Sequence, residues 1–104
     1  MRPLFAVLLM TLAISTAHSQ EAAGMSCASI IANAAKGGAE TQIAIGTYFH
    51  GTFFGEPCVE VDYDRAYALA QSAGISFEPF ANILRSRAAG GHPTAVAAVK
   101  RLGL

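Results

Sequence analysis

Apolar residues recur every three or four positions along most of the chain, which is the spacing of amphipathic helices. The pattern predicts five short helices, which begin near Ser26, Ala39, Asp62, Ser76 and Pro93. No segment predicts a convincing strand, because even the β-rich stretch from Ile43 to Phe54 fits helical spacing better than strict alternation. The many alanines let neighbouring helices approach closely. The sequence therefore predicts an all-α fold of short antiparallel helical hairpins, resembling a fragment of an α-solenoid.

Individual residues mark the predicted helix ends. Asp62 is a strong N-cap candidate, because its carboxylate can accept hydrogen bonds from the unpaired N–H groups of the first turn. Gly37-Gly38 is expected to end the first helix, Gly51 fits the position just past the helix from Ala39 to His50, and Gly74 fits the end of the helix after Asp62. Between these helices, residues 52–58 are poor in regular structure because glycine, proline and cysteine crowd together there.

Residues 1–19 have the pattern of a secretory signal peptide. Arg2 precedes an apolar run from Leu4 to Ile14, and small residues follow the run. Cleavage before His18 and cleavage before Gln20 both fit the small-x-small rule. The run is shorter than the roughly 20 apolar residues that span a bilayer, so we expect no stable membrane insertion after cleavage. The sequence thus predicts a periplasmic or secreted protein, with residues 20–25 as a flexible mature N-terminus and residues 26–104 as one domain.

Composition excludes two broad classes of protein. The chain has 104 residues, of which 53% are hydrophobic and 13% charged, with a formal net charge of zero. Disordered chains have low hydrophobicity and high charge, so this chain is expected to fold. A nucleic-acid-binding domain needs an excess of Lys and Arg, which is absent, so we expect no nucleic-acid partner.

The two cysteines, Cys27 and Cys58, both lie in the part of the chain expected to be exported. In an oxidising compartment, a single pair most simply forms one disulfide. The alternatives are two free thiols and an intermolecular bridge. A redox-active pair is the least favoured, because the chain has no Cys-x-x-Cys motif.

Three segments follow one another in an order typical of a helical repeat. Tyr48-Phe49-His50-Gly51 has the Tyr-x-x-Gly pattern, Val61-Asp62-Tyr63-Asp64-Arg65-Ala66 follows, and Arg87-Ala88-Ala89-Gly90-Gly91-His92-Pro93-Thr94-Ala95 comes last. These resemble, in order, the end of the first helix, the start of the second helix and the join to the following repeat in Sel-one-like repeats. That family is related to the tetratricopeptide repeat. Together the segments cover roughly Thr41 to Leu104.

The resemblance implies one divergent repeat with flanking helices, and it is the basis for expecting a bacterial envelope protein. Gly51, Asp62, Tyr63 and Ala66 carry its structural motif. The chain has Ala44-Ile45 where the family has a Leu-Gly pair, and its connecting loop is longer and contains Cys58. Solenoids need about three repeats to bury their faces. Either the disulfide and the first helix serve as caps, or a partner covers the remaining surface.

Catalytic and metal-binding patterns are weak, so we expect no cofactor, no metal and no enzyme activity. The histidines (His18, His50 and His92) do not lie three or four positions from one another or from a cysteine, as zinc ligands on a helix would. Pro57, Cys58 and Val59 interrupt the acidic run that a calcium loop would need. Cys58 with His50 or His92 could imitate a nucleophile pair, but Cys27 is the favoured partner of Cys58.

Aromatic residues crowd around the loop after Gly51, and four of them are candidate partner-binding residues: Tyr48, Phe53, Phe54 and Tyr67. Two adjacent phenylalanines in a glycine-flanked loop cannot easily both point inward, so one is expected on the surface as a binding anchor. Charge is also segregated, with acids from Glu40 to Asp64 and basic residues near the C-terminus. The two charged regions face either each other or a partner.

The sequence therefore predicts a small exported, non-catalytic interaction module that binds another envelope protein. A different class of protein is the runner-up: a small secreted hydrolase, or an enzyme inhibitor, that uses Cys58, His50 or the acidic loop. A structural or stress protein without a specific partner is the third alternative.

Overall fold

The computed structural model describes residues 25–104, which form five helices and one two-stranded β-hairpin. The helices are α1 (Cys27–Ala32), α2 (Gly38–His50), α3 (Tyr63–Ala73), α4 (Glu78–Ala89) and α5 (Pro93–Leu102), and the strands are β1 (Thr52–Phe53) and β2 (Glu56–Pro57). The predicted helical class and number of helices are confirmed. The signal peptide expected at residues 1–19, and most of the expected flexible terminus, lie outside the described residues.

The helices pack mainly as two consecutive pairs. Helix α2 packs against α3, α4 packs against α5, α1 covers part of α2, and α3 also contacts α5. Many of the fully buried positions are alanines, namely Ala34, Ala44, Ala66, Ala70, Ala81, Ala95 and Ala98. Larger side chains such as Phe49, Ile45 and Leu84 belong to the same buried core. Small residues at the crossings allow close approach of the helices, as the alanine content predicted.

The local signals for helix ends act as predicted. The Asp62 carboxylate accepts a hydrogen bond from the Arg65 backbone N–H at 2.9 Å, which caps α3. Gly51 adopts a left-handed conformation with φ of +79°, and its N–H donates to the Thr47 carbonyl at 2.7 Å. Gly74 ends α3 in the same way, with φ of +68°.

Helix α1 is shorter than its glycine signal predicts, ending at Ala32 rather than near Gly37. The cause lies in α2, where the Thr41 hydroxyl is fully buried. This hydroxyl donates to the Ala34 carbonyl at 2.6 Å and accepts from the Gly37 N–H at 2.6 Å. These two bonds satisfy backbone groups that a longer helix would have used, so a compact turn replaces the last turn of α1.

The β-hairpin (residues 52–57) corrects the expectation that the chain contains no strand. Its two strands run antiparallel, with Thr52 opposite Pro57 and Phe53 opposite Glu56. Strands of two residues are too short to show an alternating pattern in the sequence. The stretch from Ile43 to Phe54 has helical spacing in the sequence, but the helix continues only as far as His50, where α2 ends.

Candidate functional site: an anchored β-hairpin with an exposed phenylalanine

The predicted disulfide joins Cys27 to Cys58, with their Cα atoms 5.7 Å apart. Cys27 is the first residue of α1, and Cys58 directly follows β2. Both residues are half-buried. The bridge therefore fastens the base of the β-hairpin to the N-terminal helix, and it leaves no Cys58 thiol to act as the nucleophile of a hydrolase.

Backbone contacts fasten the other side of the β-hairpin to the end of α2. The Gly51 carbonyl accepts from the Cys58 N–H at 2.9 Å and from the Val59 N–H at 3.3 Å. The Tyr48 carbonyl accepts from the Asp62 N–H at 2.8 Å. The chain that enters the β-hairpin and the chain that leaves it are thus held together, and the β-hairpin projects from a fixed base.

Gly51 is required at this base for two separate reasons. Its φ of +79° is a conformation that residues with a side chain rarely adopt. A Cβ atom there would lie 3.0 Å from the Val59 carbonyl oxygen and 3.1 Å from Val61 Cγ2. Glycine therefore provides both the turn and the close approach of the two chain segments.

Phe54, at the turn of the β-hairpin, is the most exposed large hydrophobic residue in the described part of the chain, with 73% of its surface accessible. Its φ is +50°, and among residues 25–104 no other residue except glycine has a positive φ. A left-handed conformation costs an L-residue about 1–2 kcal/mol. With Gly55 also at positive φ, the turn has the conformation in which Asn-Gly is preferred. A phenyl ring therefore occupies a position where local energetics favour a small polar residue.

Phe53 and Phe54 face different surroundings. Phe53 is half-buried and packs against the hydrophobic core. The two rings meet edge to face, with centroids 4.6 Å apart. Such pairs contribute about 0.5–1.5 kcal/mol of stability beyond burial, so the contact with Phe53 helps to fix the position of the exposed Phe54 ring.

The other two candidate binding residues lie apart from this pair. Among the described residues, one connected group of ring contacts contains Phe49, His50, Tyr63, Tyr67, Phe77 and Phe80, and Phe53–Phe54 is a separate pair. Tyr67 packs at a right angle on Phe77 within the first group. Tyr48 is half-buried, with the Arg65 guanidinium 5.8 Å from its ring centroid. The structure therefore assigns Tyr67 to the core packing and leaves Phe54 as the protruding aromatic.

The remaining residues of the helical motif have structural positions. Ala66 is fully buried. Tyr63 packs on Phe49 with ring centroids 5.0 Å apart, and its hydroxyl accepts from Arg87 Nη1 at 3.2 Å. Val61, the first residue of the second segment of the repeat resemblance, is 49% exposed beside Gly51. An apolar residue just before an N-cap usually packs inward against the helix, so its exposure has no signal in the sequence.

The acidic and basic regions of the chain meet at one point. Arg101 of α5 donates from Nε to Asp64 Oδ2 and from Nη2 to Asp64 Oδ1, both at 3.0 Å. These hydrogen bonds are the main reason that the pKa of Arg101 is raised above its ordinary value. The stability that these hydrogen bonds contribute through the Arg101 charge is lost only as the pH rises through the raised pKa. It is therefore constant around physiological pH.

A shallow groove lies beside this ion pair. It has a volume of about 300 Å³ and is lined by Val61, Asp62, Tyr63, Thr94, Ala97 and Arg101. The groove is open and of mixed polarity, and Arg101 is already engaged by Asp64. The hydrogen-bond donors of Arg101 are therefore less available to a ligand than the exposed ring of Phe54 is to an apolar partner.

Metal-binding side chains do not cluster among the described residues. His50 and His92 are both exposed, and residues 25–104 contain no set of three His, Cys, Asp or Glu side chains placed to hold a metal. His18 lies outside the described residues. Within that same part of the chain, no helix combines the length and apolar character needed to cross a membrane.

The feature with the clearest capacity for function is thus a rigidly based β-hairpin that presents one aromatic ring to solvent. An arrangement of this kind can bind a complementary surface without chemistry of its own. No protein-family model, curated protein or solved structure matches this chain.

Proposed function

We propose that this protein is a small exported, non-catalytic interaction module that binds another envelope protein through Phe54. The observation that carries the proposal is a phenyl ring that is 73% exposed in a left-handed backbone conformation. Strain of this kind persists where the surrounding structure enforces it, and it is concentrated at functional sites. Burial of the ring against a partner would recover the apolar contact that the isolated protein leaves in water.

The fixed base of the β-hairpin supports this role. Binding costs free energy when a loop must be ordered, and a preorganised loop avoids that cost. The Cys27–Cys58 bridge and the hydrogen bonds to Gly51 hold the β-hairpin in place on both sides. Phe54 can therefore meet its partner with little loss of conformational freedom.

Export is the second part of the proposal. The disulfide supports it, because disulfides persist mainly in oxidising compartments. The signal-like pattern of residues 1–19 supports it independently. We also propose that the helix pairs are a divergent Sel-one-like repeat, with which their arrangement is compatible.

Export is tested by fractionation of a Gram-negative host that expresses the protein, together with the intact mass of the mature chain. A chain that keeps residues 1–19 and stays in the cytoplasm would contradict it.

The binding role is tested by a substitution that separates binding from folding. Phe54→Asn removes the ring and places a residue that tolerates left-handed backbone before Gly55. We expect a midpoint of thermal unfolding equal to or above that of the wild type, together with loss of cross-linked partner from envelope extract. Ile83→Ala is the control, since Ile83 is an apolar residue of α4 that is 38% exposed. Unchanged capture by Phe54→Asn, or no capture by the wild type, would refute the proposal.

A further inference from the structure

The chain segment that contains the β-hairpin carries charge of one sign. Between Lys36 and Arg65 the chain contains no Lys or Arg, whereas it contains five carboxylates. Three of these, Glu56, Glu60 and Asp62, lie in or just after the β-hairpin, and all three are exposed. Glu56 lies opposite Phe53 in the β-hairpin, so a partner that contacts Phe54 at the turn also meets a carboxylate.

Two of these groups are in no ion pair among residues 25–104. In the described part of the chain, the ion pairs are Glu78–Arg85 and Asp64–Arg101. Glu56 and Glu60 are in neither pair. Arg65, the next basic residue along the chain, has its guanidinium over the ring of Tyr48. The negative charge at Glu56 and Glu60 therefore remains available to act on a molecule outside the protein.

The sign of this charge selects among possible surfaces for Phe54. An anionic lipid surface would repel the β-hairpin, although an exposed aromatic ring alone would suit a membrane interface. A second copy of the chain would bring the same carboxylates face to face if the two β-hairpins met symmetrically. A protein surface with basic residues around an apolar pocket would accept the ring and attract the acids of the same segment.

We propose that the partner is a protein with an apolar pocket for Phe54 and with Lys or Arg side chains at the edge of that pocket. This inference rests on the proposed function and adds the chemistry of the partner to it. The ring supplies the contact that is desolvated on binding, and the carboxylates supply attraction and orientation. Attraction of this kind acts mainly on the association rate and weakens as salt screens it.

The test uses the exported, disulfide-bonded protein with p-benzoylphenylalanine in place of Phe54, which keeps an aromatic ring and forms a covalent bond to a neighbour under light. Irradiation in envelope extract at low and high ionic strength is followed by mass spectrometry of the cross-linked peptides. Vesicles of phosphatidylglycerol and the purified protein alone serve as separate probes for lipid and for a second copy. The same experiment is carried out in Glu56→Gln/Glu60→Gln and in Glu40→Gln/Glu78→Gln. Both double variants change the net charge equally, but the second pair lies in the first turns of α2 and α4.

We expect cross-links to a protein segment in which Lys and Arg flank apolar residues, with a yield that falls several-fold at high ionic strength. The Glu56→Gln/Glu60→Gln variant should lose most of that salt dependence, and the control pair should keep it. A protein cross-link that is insensitive to salt and to Glu56 and Glu60 would overturn the inference while leaving the proposed function intact. Cross-links only to lipid or to a second copy, or none at all, would overturn both.

Discussion

The guanidinium of Arg87 lies over the ring of Phe49, with its central carbon 5.1 Å from the ring centroid. Phe49 is in the last turn of α2 and is fully buried, whereas Arg87 is near the end of α4. The same guanidinium donates to the Tyr63 hydroxyl at the start of α3. This half-buried side chain of α4 thus contacts α2 and α3 and connects the two helix pairs.

This arrangement predicts that Arg87→Ala lowers the free energy of unfolding by about 1–2 kcal/mol, through loss of the cation–π contact and of the packing of the aliphatic stem. Arg87→Lys should recover part of the loss, because it keeps a cation and a long stem but not the planar guanidinium. Urea denaturation measures both. Arg85→Ala is the control, since Arg85 pairs with Glu78 near the surface. It should cost less than about 1 kcal/mol, and an equal loss in the two Ala variants would contradict the role of Arg87.

Alanine substitutions at Gly51 and Gly74 distinguish the cost of backbone strain from the cost of steric contact. Both have positive φ, but an added Cβ meets the Val59 carbonyl and Val61 at Gly51 and nothing within 4 Å at Gly74. We expect Gly74→Ala to cost about 1 kcal/mol, which is the left-handed penalty alone. Gly51→Ala should cost at least about twice as much, because the base of the β-hairpin must also move. Thermal unfolding compares the two variants, and equal midpoints would show that the close approach at Gly51 is not rigid.

The disulfide is expected to stabilise the fold by restricting the unfolded chain. The bridged cysteines are 31 positions apart, and a loop of that length corresponds to about 3–4 kcal/mol in the chain-entropy model. Cys27→Ser/Cys58→Ser should therefore lower the free energy of unfolding by about this amount. The wild-type protein under reducing conditions is the matched control for the serine side chains. A loss below about 1 kcal/mol in both would mean that the bridge serves to hold the β-hairpin rather than to stabilise the fold.

Adjacent residues on α4 test where the core lies. Leu84 is fully buried, and its neighbour Ile83 is 38% exposed. Leu84→Ala should cost about 2–5 kcal/mol, because the cavity it leaves in the core cannot close completely. Ile83→Ala should cost less than about 1 kcal/mol, since it removes surface that is already partly in contact with water. Urea denaturation distinguishes them, and similar values would contradict the observed orientation of α4.

Much of the fold could be predicted because its signals are local. Asp62 caps the helix that begins one residue later, and Gly51 and Gly74 end the helices that immediately precede them. Apolar spacing likewise predicts which stretches are helical, since one face of each helix must be buried. The length of α1 could not be predicted in the same way. It depends on the Thr41 hydroxyl of the next helix, which donates a hydrogen bond to the Ala34 carbonyl.

The candidate site was predicted only in part, for a related reason. The adjacent phenylalanines predicted one exposed ring, but the pattern did not indicate which ring it would be. Strand pairing between Phe53 and Glu56 places Phe54 in the turn with positive φ and leaves Phe53 against the core. Tyr67 is close to these residues in the sequence, yet helix α3 carries it into the packing around Phe77.

The sequence by itself determined the helical class, most of the helix ends and the pair of cysteines that forms the bridge. The helical class and the helix ends depend on residues close together in the sequence, and the bridge depends on the chain having only two cysteines. The tertiary structure decided that Phe54 is exposed, that Arg87 covers Phe49, and that Asp64 meets Arg101 across 37 positions of the chain. Such contacts depend on how the helices cross, and many sequences with the same helical pattern would bring different side chains together. The physical reason is that periodicity sets which face of a helix is buried, whereas packing sets which residues meet there.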